Sequence, residues 1–149
     1  MKCSLKNRIL LLTLVLIFAS CSSSDDSDVT APIDSQEVIT TVQSGSWRIT
    51  SFIDSGVDET DDFSGYIFTF NSDGSLSAVN GAITINGTWS VEDDDSTSDI
   101  DFNIFFASPP DFEELTEDWD IISRSTTQIQ LTDVSGGNGD TDFLTFQKN

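Results

Sequence analysis

From Ser46 to the end of the chain, apolar residues return at every second position, which is the period of strands with one face buried. Trp47, Ile49, Ser51 and Ile53 alternate with Arg48, Thr50 and Phe52, and Tyr66, Phe68 and Phe70 alternate with Ile67 and Thr69. Asn71-Ser72-Asp73-Gly74 has the chemistry of a hairpin turn, with a glycine free to take positive φ, so a short strand from Ser75 to Val79 follows. Asn80-Gly81 is the next turn. Ile83, Ile85, Trp89 and Val91 then share one face of a bent fourth strand, with Gly87 expected at a bulge.

Ile100, Phe102, Ile104 and Phe106 against Asp101 and Asn103 form the cleanest alternation, and Phe105 is the one apolar residue on its polar face. Ser108-Pro109-Pro110-Asp111 cannot continue a ladder. It opens a helical turn that sets Phe112, Leu115 and Trp119 along one side, as a plug for one end of the sheet. Strands from about Trp119 to Arg124, Gln128 to Val134 and Thr141 to Gln147 complete a set of eight.

Eight sequential strands with hairpin links, and no long connection except Ala107 to Asp118, imply an all-β antiparallel meander that rolls up to remove its edges. An eight-stranded up-and-down barrel with one short helix is expected, with a two-sheet β-sandwich as the alternative. The inward set is Trp47, Tyr66, Phe68, Phe70, Trp89, Phe102, Phe106, Trp119, Leu131 and Phe146. A barrel of this size either fills with such side chains or holds one small ligand.

The first residues follow another logic. Lys2, Lys6 and Arg8 precede an apolar run from Ile9 to Phe18, and Ala19-Ser20 places small residues ahead of Cys21, which reads as a secretory signal over residues 1–20. The apolar run is about half of the roughly 20 residues that a spanning helix needs. Phe18-Ala19-Ser20-Cys21 resembles a bacterial lipobox, with Phe18 in place of the usual Leu. That resemblance implies that Cys21 receives diacylglycerol, becomes the first mature residue and carries further acyl chains such as palmitate, so that the protein is bound to a membrane through lipid. Cys3 leaves with the signal, so no internal disulfide is expected.

Residues 21–44 read as a polar tether, rich in Ser, Asp and Thr, followed by the barrel domain over 45–149. Within the tether, Asp34 to Gln43 can form a short helix capped by Ser35 with Val38, Ile39 and Val42 on one side. Ser22 to Asp28, with Asp25, Asp26 and Asp28, is similar to the acidic export tags of some Gram-negative lipoproteins. This implies the outer membrane and exposure at the cell surface.

Of the six bases only Arg48, Arg124 and Lys148 follow Cys21, against 26 acidic residues, a formal charge of −23 for the mature chain. Nucleic acid and anionic lipid surfaces are excluded as partners by that charge, and a monomer is expected.

Gly45-Ser46-Trp47 at the start of the first strand is similar to the G-x-W signature of lipocalins. Phe68-x-Phe70 before Asp73-Gly74, Gly87-x-Trp89, Trp119 and Ile129-x-Leu131 extend the resemblance to bacterial lipocalin-like domains over about Gly45 to Lys148. It implies a barrel that binds a small apolar molecule, and a basic residue of the last strand lying over the first tryptophan. Lys148 is the base available for that contact.

The chain has no histidine, and its one mature cysteine is committed to lipid, which removes histidine-dependent triads, thiol catalysis and Cys/His zinc sites. No catalytic residue, cofactor or metal is assigned, and the protein is not expected to be an enzyme. Two loops have a superficial likeness to calcium sites, Glu92 to Asp99 and Gly136 to Asp142, but neither has the ligand spacing of a complete motif. Two functions remain: a lipid-anchored carrier of a small apolar ligand, or a surface lipoprotein with a filled barrel that contacts a partner protein or glycan.

Overall fold

The computed structural model describes residues 34–93, 100–134 and 139–149. The signal, Cys21, and Asp25, Asp26 and Asp28 lie outside the described residues, as do residues 94–99 of the first acidic loop and 136–138 of the second.

The chain enters through helix α1 (Ser35–Gln43), whose first turn is capped by Asp34: its carboxylate accepts the Glu37 N–H at 3.1 Å from a residue in extended conformation. The cap thus lies one residue before Ser35. Val38 and Val42, one turn apart, are fully buried, and the Trp47 indole N–H donates to the Val42 carbonyl at 2.8 Å. Arg124 pairs with Glu37 and donates to Thr41 Oγ1 at 3.2 Å. The folded unit therefore begins at least at Asp34, inside the segment that composition assigns to the tether.

The strands are β1 (Trp47–Asp54), β2 (Val57–Asp58), β3 (Ile67–Phe70), β4 (Ser75–Asn80), β5 (Ile83–Asp93), β6 (Ile100–Phe105), β7 (Glu117–Arg124), β8 (Gln128–Val134) and β9 (Thr141–Lys148), with helix α2 (Pro110–Glu113) between β6 and β7. Each strand from β3 to β9 pairs antiparallel with the next, and β1 pairs with both β3 and β9, which closes an eight-stranded up-and-down barrel. Two-residue β2 folds back on the end of β1 as an extra strand, through Ser55 at φ 48° and Gly56 at φ 83°. A 3-10 turn over Thr60–Phe63 then leads into β3.

Strict alternation fails in two places, and both are bulges. The pairing of β1 with β9 shifts between Ile49 and Ser51, so the inward face passes from Trp47 and Ile49 to Phe52, which is 1% exposed, and not to Ile53. A second shift, between Ile121 and Ser123 in β7, breaks the alternation after Ile122, leaving Ser123 exposed and Arg124 half-buried. Gly87, in contrast, sits in unbroken register with Leu76. A Cβ there would lie 2.3 Å from the Phe105 carbonyl oxygen and 2.7 Å from the Phe106 ring. The glycine is needed for close approach of backbone and ring, not for a bulge.

Both ends of the barrel are covered. Ser35 donates to Asp93 at the end of β5 and Glu37 meets Arg124 at the end of β7, so α1 lies across that end with Val38 and Val42 in the core. At the other end Phe112 of α2 meets Phe63, Tyr66 and Phe106 with ring centroids 5.3, 5.0 and 5.1 Å apart. Leu115, just after α2, is fully buried, as the plug predicted from Pro109-Pro110 requires.

Candidate functional site

Nine of the ten residues expected to line the barrel are buried, and the tenth, Tyr66, is half-buried at the α2 end. Their rings meet across the interior. Phe70 lies edge-on to Trp89, Phe102 and Phe146 at 5.4, 5.6 and 5.5 Å. Phe68 reaches Phe146 at 5.4 Å, and Phe52 reaches Trp119 at 6.4 Å. These are the separations of rings in direct contact. Pattern reading missed Phe52, hidden by the bulge, and Phe63, which stands in a turn with no strand period around it.

The Gly45-Ser46-Trp47 motif forms the closing contact that its resemblance implies. Lys148 Nζ stands 5.7 Å from the centre of the Trp47 ring and donates to Ser44 Oγ at 2.7 Å. A Cβ on Gly45 would meet Lys148 Cε at 2.7 Å, so the glycine leaves room for the lysine stem.

Carboxylates gather at the α2 end. Asp54 ends β1, Glu59 precedes the 3-10 turn and Glu114 caps α2, and one carboxylate oxygen from each lies within 4.8 Å of the others. Glu59 Oε2 is buried with no hydrogen-bond donor facing it. The hydrogen bond to Glu59, then burial, then the charges of Glu59, Asp54 and Asp111 push the Glu114 carboxyl up to about 7 from an ordinary 4.5. Glu117 is also raised, by burial first and then by Asp133, Asp142, Asp118 and Asp54.

The folded chain thus keeps a proton on Glu114 between pH 4.5 and about 7 that the unfolded chain has lost. The stability it confers is fully present below the lower value and is lost as pH rises through the upper one. We expect the denaturation midpoint to fall over this window, and Glu114→Gln to flatten the fall in part, Glu117 keeping its share. A midpoint profile unchanged by Glu114→Gln would show that the trio holds no shared proton.

The outer face of β5, β6 and β7 carries a depression of about 710 Å³. Across it Thr88 stands opposite Phe105, Ser90 opposite Asn103, Asn103 in turn opposite Asp118, and Glu92 opposite Asp101. Asn103 Nδ2 donates to Ser90 Oγ at 3.2 Å and Ser90 Oγ donates to Glu92 Oε1 at 3.3 Å, so the polar floor is already ordered. Phe105, the apolar residue that β6 turns outward here, is 53% exposed.

Fold and surface together define the chain as a closed antiparallel β-barrel of eight strands with one short additional strand. No protein-family model and no curated protein matches it. Among solved structures it is similar to a DUF4847 family protein from Bacteroides vulgatus ATCC 8482, at 19% identity and a TM-score of 0.49, over 75% of this chain and 97% of that one.

Proposed function

We propose that the protein is a lipid-anchored, surface-exposed lipoprotein of the outer membrane, without enzymatic activity, whose filled barrel acts through its outer face on a partner. The packed aromatic interior carries this reading. Phe68, Phe70, Phe102 and Phe146 occupy the volume that a carrier would leave to its ligand, and α1 and α2 cover the two ends. Micromolar capture of an apolar molecule, about −8 kcal/mol, requires roughly 330 Å² of apolar burial at about 25 cal/mol per Å², and displacing these rings would add to that requirement. The lipocalin-like features, Gly45-Ser46-Trp47 under Lys148, then serve closure of the barrel and not transport.

Trp47, Trp89 and Trp119 all belong to this interior and report on it. Titration of the full-length protein with fatty acids, sterols and small aromatic compounds is expected to leave tryptophan fluorescence without a saturable change. Saturable quenching that disappears when a charge is placed at Phe102, in a variant that keeps its strand signature in circular dichroism, would return the carrier to first place.

A further inference from the structure

We propose that the depression on the outer face of β5, β6 and β7 is a binding site for neutral oligosaccharides, with Phe105 as its stacking platform. The inference rests on the filled-barrel reading and names the chemistry of the partner. Phe105 stands at one end of the depression with more than half of its surface exposed, 53%, beside the polar outward positions Asp101 and Asn103 of its own strand. A sugar ring presents a face of C–H groups that packs on such a ring, and a rim of hydroxyl donors that need acceptors.

The depression supplies both halves. Beyond the ring, the side chains of Glu92, Asp101, Asn103 and Asp118 line it, and carboxylates accept hydroxyl donors in shorter and stronger bonds than neutral groups do. The Asn103, Ser90 and Glu92 hydrogen bonds hold the acceptors in place before any ligand arrives, which lowers the ordering cost of binding. A volume of about 710 Å³ lies within the ordinary range for ligand sites. Uronic acids and sulfated sugars are repelled by the four carboxylates that line it, Glu92, Asp101, Glu117 and Asp118, which selects neutral glycans. A peptide partner added as a strand is disfavoured by topology, because β5, β6 and β7 are paired on both sides.

The test is calorimetric titration of the full-length protein, purified in a detergent without a sugar headgroup, with neutral hexasaccharides of glucose, mannose and xylose and with hexalysine. Saturable submillimolar binding of at least one neutral hexasaccharide is expected, weakened about tenfold by Phe105→Ala through loss of the stacking surface. Because Phe105 points outward and is 53% exposed, that variant should melt with the parent. Binding of hexalysine alone, binding of no hexasaccharide, or sugar binding undiminished by Phe105→Ala would each overturn the site. A blank sugar titration beside a blank fatty-acid titration removes only the glycan site, whereas saturable fatty-acid binding removes the filled-barrel reading beneath it.

Discussion

Cys21→Ala is expected to move the protein completely from the detergent phase to the aqueous phase on Triton X-114 partitioning, and to leave residues 1–20 uncleaved. Two acyl chains or more hold a protein stably at a membrane, while one holds it only marginally and none not at all. After Cys21 the sequence holds no second thiol to acylate. Among the described residues no helix is long and apolar enough to cross a membrane. The expected change is all or none, and intact-mass measurement reads it independently through loss of the diacylglycerol and acyl mass. A Cys21→Ala protein that still entered the detergent phase with a cleaved N terminus would falsify the anchor.

Phe70→Ala is expected to cost about 3–5 kcal/mol, as removal of a buried phenylalanine does when the space cannot collapse. Phe70 is 2% exposed and stands edge-on to Trp89, Phe102 and Phe146, each on a different strand, so no single neighbour can move into the gap. Set against the roughly 5–15 kcal/mol of a whole domain, that loss lowers the melting temperature by roughly 15 °C or more. Phe105→Ala removes the same side chain from the outside and should stay within about 0.5 kcal/mol of the parent. The contrast between two phenylalanines of the same barrel measures how tightly the interior is filled. A cost below about 1 kcal/mol at Phe70 would mean a loose interior, and the argument against a carrier would lose its footing.

Much of this architecture is legible in the sequence because an antiparallel barrel writes its faces with period two. Phe102, Ile104 and Phe106 against Asp101 and Asn103 fix β6 and its inward side without any tertiary knowledge. Period two is blind to a bulge, however, since one extra residue inverts the faces beyond it. Ile53 and Phe52 exchange roles for that reason, and the pairing partner Phe143 that reveals the shift lies far along the chain. The plug at α2 could be read from Pro109-Pro110 and the spacing of Phe112 and Leu115. The docking of α1 could not, because its two buried valines stand in a polar segment whose average composition suggests a tether.

The outer depression had one local signal, the apolar Phe105 in a polar row. The acidic trio had none, because Asp54 and Glu59 lie far along the chain from Glu114 and the fold brings them together.

The seam between β1 and β9 has a consequence for the order of folding. It joins Trp47 to Lys148, Ile49 to Phe146 and Ile53 to Phe143, which makes the first strand of the barrel wait for the last. Until Thr141–Lys148 has been synthesised, β1 and β8 are both open edges and the aromatic interior has a missing wall. Closure is thus the contact of greatest sequence separation, the kind that sets a slow folding rate. A chain cut before Thr141 would present two unsatisfied ladders to its neighbours, and self-association is the expected fate of such edges.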